Sequence, residues 1–402
     1  MALSYADFRA ALAGVPLPCA IVDLDAFDGN LARHLSAMPM AVPLRVATKS
    51  IRVPALIRRL LDRGQGRLRG LMCYSASEAH QLASRGFDDL LIAYPIFSEH
   101  DLEIVAALRA RGVIVSVAVD SEITASRMSQ VAKKYGVELL AVLCVDMSLR
   151  PLGGLVHIGV RRSPLHDCET VVAFAKHVRA LPMLRVHGVL GYEAQVAGLG
   201  DQSSFDTLLM KLGKRLVRIA SMAEITKRRS RIARDLSAIG CDLAFVNGGG
   251  TGSLDLTGPD NGVTEVTTGS GFYKPLLFDA FSSPFVKGLE PAAFFALEVT
   301  RKPSPELCTC LGGGYVASGS AGPDKLPRPW LPEGLALIPR EGAGEVQTPL
   351  TGARQVSIGA PVIFRHAKAG ELMERFNEVL LIQGGAVVGR ERTYRGEGWA
   401  FI

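Results

Sequence analysis

Through roughly residue 270 the chain alternates short apolar runs with stretches of helical periodicity, and afterwards it loses that rhythm. Eight runs read as strands: 44–49, 68–74, 89–95, 113–120, 139–146, 184–192, 244–247 and 263–268. They are rich in Val, Leu, Ile and Ala and show little polar alternation, as strands buried on both faces should. Helix-like stretches lie between most of them. One opens on Ser75-Ala76-Ser77-Glu78, with a serine cap, a glutamate three residues later and a glycine at its end. Residues 98–111 and 121–135 are two more. Eight strands alternating with helices predict an α/β chain built as a (β/α)8 barrel rather than an open sheet.

From about residue 271 turn residues become frequent, as in Gly312-Gly313-Gly314 and Pro327-Arg328-Pro329, and the strand-like runs are 294–300, 336–339, 361–364 and 379–382. These predict a β-rich C-terminal domain. Residues 20–25 also read as a strand and are expected to pair with that domain. The expected division is therefore an N-terminal segment over 1–25, a barrel over 26–270 and a β domain over 271–402.

Composition narrows the partners. With 48% hydrophobic and 21% charged residues the chain can bury a large core. The net charge of +6 is mild, and the densest basic run, from Lys227 to Arg234, reads as a solvated helix face. It lacks interleaved aromatics and any zinc-finger pattern, so no nucleic-acid partner is expected. Seven scattered cysteines predict neither a disulfide framework nor a zinc site, and Cys308 and Cys310 read as small buried hydrophobes. No run is long enough for a membrane span and the N-terminus does not read as a signal peptide, so a cytoplasmic protein is expected.

Candidate chemistry gathers where barrel strands end. Lys49 closes the first strand, and in a barrel the C-terminal strand ends open into the active site. Apolar neighbours there should desolvate the ammonium and favour the neutral amine that Schiff-base chemistry requires; a lysine snorkelling at the rim is the plain alternative. Gly248-Gly249-Gly250-Thr251-Gly252-Ser253 follows the seventh strand and Gly269-Ser270-Gly271 the eighth. Loops at those two places often bind phosphate, through backbone N–H groups that glycine lets approach closely. Tyr192, at the end of the sixth strand, is either a ring-contacting group or a rim aromatic. His366 and Lys368 form a polar cluster directly after a strand.

In this order the residues resemble the fold-type III pyridoxal-phosphate (PLP) enzymes of the alanine racemase N-terminal domain superfamily. Within them the chain is most similar to the D-threonine aldolase and D-serine dehydratase group. The resemblance rests on Pro18–Asp25 with Asn30, Arg45…Thr48-Lys49, Ser77-Glu78-Ala79, Tyr94-Pro95, Asp146, Gly191-Tyr192-Glu193, Gly248–Thr251 and Gly269–Tyr273. It implies a homodimer, with PLP held on Lys49 as a Schiff base and its phosphate held by Gly249, Gly250, Thr251 and Tyr273. Tyr192 would face the pyridine nitrogen, which unlike a carboxylate does not stabilise a pyridinium. Arg150 or His157 would stand near the cofactor hydroxyl, the insertion-like stretch 151–156 blurring that match. The implied activity is aldol cleavage or dehydration of a D-3-hydroxy amino acid, with His366 handling the hydroxyl. Relatives carry a metal-binding His-x-Cys or His-x-Asp pair where this chain reads His366-Ala367-Lys368. A protonated lysine cannot ligate a metal but can supply positive charge, so a metal-independent variant is expected. Two alternatives stand beside this reading. One is an amino-acid racemase using Lys49 and Tyr315 as opposed bases, and the other a non-catalytic PLP-binding protein.

Overall fold

The computed structural model describes residues 3–258 and 262–402. The chain opens with helix α1 (Tyr5–Ala11), strand β1 (Cys19–Asp23) and helix α2 (Leu24–Ala37). Then come the alternating units β2 (Leu44–Ala47), α3 (Pro54–Arg63), β3 (Leu68–Cys73), α4 (Ala76–Ser84), β4 (Leu90–Ile92), α5 (Glu99–Ala110), β5 (Val115–Val119), α6 (Glu122–Tyr135), β6 (Leu139–Cys144), α7 (Cys168–Ala180) and β7 (Leu184–Leu190). The short α8 (Ala194–Ala197), the long α9 (Leu208–Ala238), β8 (Phe245–Gly248), α10 (Leu254–Thr257) and β9 (Glu265–Thr268) complete this part. Strands β2 to β9 form a closed parallel barrel, β9 pairing back onto β2. Each of the eight sequence-predicted runs overlaps one of these strands, and seven contain theirs whole, β8 reaching one residue past the run 244–247. The helix signals hold as well: Ser75, Ser98 and Ser121 cap α4, α5 and α6, each accepting a first-turn N–H.

The barrel interior is polar at its lower end. Arg45, 1% exposed, is held by Glu265 (2.8 Å) and Asp89 (2.9 Å), and Asn247 donates to Glu265 (2.7 Å) and Thr267 (2.8 Å). The two carboxylates offset the desolvation of this buried guanidinium.

Beyond the barrel lie α11 (Pro284–Lys287) and eight strands: β10 (Ala293–Ser304), β11 (Leu307–Leu311), β12 (Arg328–Leu331), β13 (Ala336–Leu337), β14 (Gln347–Thr351), β15 (Pro361–Arg365), β16 (Glu378–Gln383) and β17 (Ala386–Arg392). With β1 they make a 9-stranded sheet ordered β13-β14-β11-β10-β1-β16-β17, and β15 pairs with β10 and β12. β1 is fully enclosed: Ala20, Ile21 and Val22 have no exposed surface, and the strand runs antiparallel to β10 and parallel to β16. This ties the start of the chain into the sheet that follows the barrel. Among the described residues no helix is long and apolar enough to cross a membrane.

Candidate active site

A cavity of about 510 Å³ opens at the C-terminal ends of the barrel strands. Lys49 lies on its wall, in the tight turn Thr48–Ser50 that follows β2, and Nζ donates to the Tyr94 hydroxyl at 3.3 Å. The desolvation expected from its apolar neighbours is not found, because the turn lifts the side chain out of the strand and leaves it exposed.

Both glycine loops line the same cavity. Their glycines are required by space. A Cβ on Gly250 would lie 3.0 Å from Ala197 Cβ and 3.3 Å from Tyr192 Cε2, and one on Gly269 would lie 2.8 Å from Ser50 Cβ. Gly249 has φ +82°, a conformation glycine adopts at no steric cost. Thr251 Oγ1 accepts the Gly271 N–H at 2.9 Å and meets Thr268 Oγ1 at 3.1 Å, so one hydroxyl stitches the two loops together.

Behind the first loop lies Glu193, with no exposed surface. It accepts from Gly249 N–H (3.1 Å), Ser253 Oγ (3.2 Å) and Thr257 Oγ1 (2.5 Å), and pairs with Arg229 at 2.9 Å. Arg229 also donates to the Gly191 carbonyl at 2.8 Å. The basic run of α9 is therefore not simply a solvated face, as its composition suggested. Arg228 and Arg229 are buried, and Arg228 donates to the Asp146, His166 and Ser148 carbonyls, holding the loop after β6. Composition carries no sign of this, because a shift of one residue, about 100° of helix phase, decides which arginines face inward.

Tyr192 lines the cavity, and burial with Glu193 alongside pushes its phenol up to about 12, so it stays a proton donor. Arg150 is not part of the lining: it bonds the lining residue Asp146 at Oδ2 (2.5 Å) and Ser148 Oγ (3.1 Å). His157 faces the Val160 carbonyl at 3.1 Å. The arginine on the cavity wall is Arg162, in a loop with no periodic pattern to mark it. Asp120, at the tip of β5, also lines the wall, and burial raises its carboxyl.

Residues 22–229, just over half of the chain, match the family described as alanine racemase, N-terminal domain. The chain belongs to that family. Among relatives of this alanine racemase-domain protein, a D-threonine aldolase from an Arthrobacter species is 26% identical over 322 residues, covering 78% of this chain and 76% of its own. A solved D-threonine aldolase from Filomicrobium marinum superposes with a TM-score of 0.80 at 21% identity, over 97% of each chain. A D-threo-3-hydroxyaspartate dehydratase from a Delftia species does so with a TM-score of 0.74 at 20% identity, over 95% of this chain and 98% of its own.

The family implies PLP, and the cavity fits it. A primary amine, two loops with no room for side chains, the Thr251 and Ser270 hydroxyls, a protonated phenol and a guanidinium all face one space. That donor set matches a phosphate, an aldehyde and a ring nitrogen. Not all candidates reach this lining. Tyr273 has no exposed surface and donates its hydroxyl to the Ile51 carbonyl at 3.0 Å. His366 is buried behind the wall, its carbonyl accepting Leu276 N–H at 3.0 Å next to the lining residues Leu277 and Phe278. Neither of its ring nitrogens has a partner, and burial with Arg365 beside it holds the ring down to about 3. Lys368 donates to the Ser318 carbonyl at 2.6 Å. Tyr315 packs between Phe295 and Phe376, away from the lining.

Proposed function

We propose that this chain is a PLP-dependent lyase that cleaves or dehydrates a D-3-hydroxy amino acid, with Lys49 carrying the cofactor. One observation carries the reading: Lys49 shares a single cavity with both glycine loops. The named relatives supply the substrate class, since the aldolase and the dehydratase alike act on D-3-hydroxy amino acids.

When bound, PLP supplies a sink for the electron pair released at Cα. The Lys49 amine would hold it, and the Gly250 and Thr251 N–H groups with the Thr251 hydroxyl would hold its phosphate. Gly249 serves by its turn geometry, its own N–H being taken by Glu193. Tyr192 would donate to the ring nitrogen. Arg162 would take the cofactor-hydroxyl side in place of Arg150, which is bonded to Asp146. Tyr273 contributes by holding the Ile51 carbonyl rather than the phosphate. Two groups are candidates to take the 3-hydroxyl proton: Asp120 in the lining, and His366 behind it, with Lys368 two residues on. A neutral imidazole held near 3 is a weak base at pH 7, which favours Asp120. No observation favours the racemase, whose candidate Tyr315 lies in an aromatic stack.

We also propose that 26–270 form the cofactor-binding unit, with 271–402 and 1–25 as its cover. The working form would be a homodimer. Leu208, Leu209, Leu216 and Ile219 on α9 are 67–80% exposed, an apolar stripe of the kind that marks an interface. The seven free cysteines suit a reducing, cytoplasmic setting. The test is NMR product analysis with D-threonine and its L-enantiomer. Glycine with acetaldehyde means aldolase chemistry, and a 2-oxo acid with ammonia means dehydratase chemistry. Exchange of the Cα proton alone would replace the proposal with the racemase.

A further inference from the structure

Glu78 is a carboxylic acid with no exposed surface, set between the turn that carries Lys49 and the end of the chain. The sequence pattern casts it as the acidic half of a helix cap, and only half of that motif forms. Ser75 Oγ accepts the Glu78 N–H at 3.1 Å, but Glu78 Oε2 accepts the N–H of Tyr74, at 2.7 Å. Its other oxygen accepts the hydroxyl of Tyr394 at 2.9 Å, across 316 positions of sequence.

Tyr394 makes a second contact at the same place. Its N–H donates to the Arg52 carbonyl at 2.9 Å, just past the Lys49 turn. Arg52 itself has φ +53°, a conformation a side chain adopts only when its surroundings hold it there. The fully buried Tyr394 ring packs on Trp399 and Phe401, and Phe401 packs on Tyr74, which lines the cavity. The Ile51 carbonyl is held in turn by Tyr273. Two consecutive carbonyls after the lysine turn are thus fixed by tyrosines from beyond the barrel. Within the turn, Ile51 and Arg52 N–H groups both lean on the single carbonyl of Thr48, at 2.9 and 3.0 Å. A turn so lightly held from inside depends on these outer contacts, and a small backbone swing is magnified along a lysine side chain.

We propose that Glu78 and Tyr394 are positioning residues for Lys49, their hydrogen bond fastening the C-terminal segment 394–402 onto the turn that presents the lysine. The proposal rests on the reading of Lys49 as the cofactor lysine. It carries a pH signature. Burial pushes the Glu78 carboxyl up to about 7, against the Thr48 hydroxyl, the Tyr74 N–H, the Tyr394 hydroxyl and the Arg52 guanidinium; Cys73 also faces it. Glu374 lies further out, paired with Arg52 at 2.9 Å. The strength of the clasp therefore changes as Glu78 ionises near neutrality.

The test compares full-length wild type, Tyr394→Phe and Glu78→Gln. Amide hydrogen exchange is followed in the cofactor-free proteins, and PLP affinity is titrated by absorbance between pH 6 and 8.5. Tyr394→Phe should speed exchange at residues 50–52 and weaken PLP binding, each about tenfold, the scale of one buried hydrogen bond, with the barrel strands unchanged. Glu78→Gln should lose the wild-type change of affinity across pH 7. Wild-type exchange and affinity in Tyr394→Phe would overturn the proposal, as would faster exchange through every strand, which marks a merely structural role. A Glu78→Gln pH response superimposable on wild type would also overturn it. If wild type takes up no PLP the Lys49 reading fails, while exchange at 50–52 still decides whether the clasp exists.

Discussion

Removing Glu193 should damage both the fold and cofactor binding, in proportions that can be worked from its contacts. Its carboxylate is the counter-charge of Arg229, and neither side chain has any exposed surface. Glu193→Ala strands that guanidinium, which costs about 3–5 kcal/mol for a buried pair broken on one side. It also leaves the Gly249 N–H without its acceptor, which adds about 1–3 kcal/mol unless water enters, while Thr257 Oγ1 keeps the Ser253 carbonyl at 2.8 Å and Ser253 Oγ the Gly250 carbonyl at 3.4 Å. Arg229→Met in the Glu193→Ala background removes the stranded charge but not the orphaned N–H. Urea unfolding of the four proteins in a double-mutant cycle should therefore show strong coupling, with the double variant more stable than Glu193→Ala alone. PLP affinity should stay low in both, because the glycine loop has lost its anchor. Strictly additive effects, or a Glu193→Ala protein with wild-type stability, would refute the buried-pair argument.

Two further predictions concern protons and metals. His34 and His366 are buried, and burial holds their rings down to about 4 and about 3, while in the unfolded chain each binds a proton near pH 6.5. Their contribution to stability is complete above about pH 6.5 and is lost as pH falls toward those lower values, at about 1.4 kcal/mol per unit for each group. Melts between pH 7 and 4.5 should therefore fall steeply, and His34→Phe should flatten the slope; identical slopes would count against it. Glu78 acts with the opposite sign, its contribution being lost as pH rises toward 7. For metals, the resemblance implies a His-x-Cys or His-x-Asp pair where this chain has His366-Ala367-Lys368, and a protonated lysine is no metal ligand, so turnover should survive exhaustive chelation. Loss of activity restored by one divalent ion would reverse that reading.

The barrel was legible because strands buried on both faces leave runs rich in Val, Leu and Ile, and because α4, α5 and α6 each announce themselves with a serine cap. The sheet beyond it was only partly legible. β12 and β14 carry Pro329 and Pro349, and proline argues against a strand. β17 (Ala386–Arg392) opens on Ala386-Val387-Val388 and ends on Arg390-Glu391-Arg392, an apolar stretch too short to mark a seven-residue strand. At the site, Lys49, Tyr192 and the glycine loops were visible because chemistry at strand ends is positional. Arg162 and Asp120 were not singled out, and the roles of Arg229 and Glu78 depend on tertiary contacts. The pairs Glu193–Arg229 and Glu78–Tyr394 join residues 36 and 316 positions apart, a relation that no local pattern encodes.

The central claim is that Lys49 carries PLP, and borohydride reduction of the loaded protein followed by peptide mapping tests it most directly. The account predicts a pyridoxyl mass on the peptide containing Lys49, absent in Lys49→Ala. A label on another lysine, or none on wild type, would contradict it.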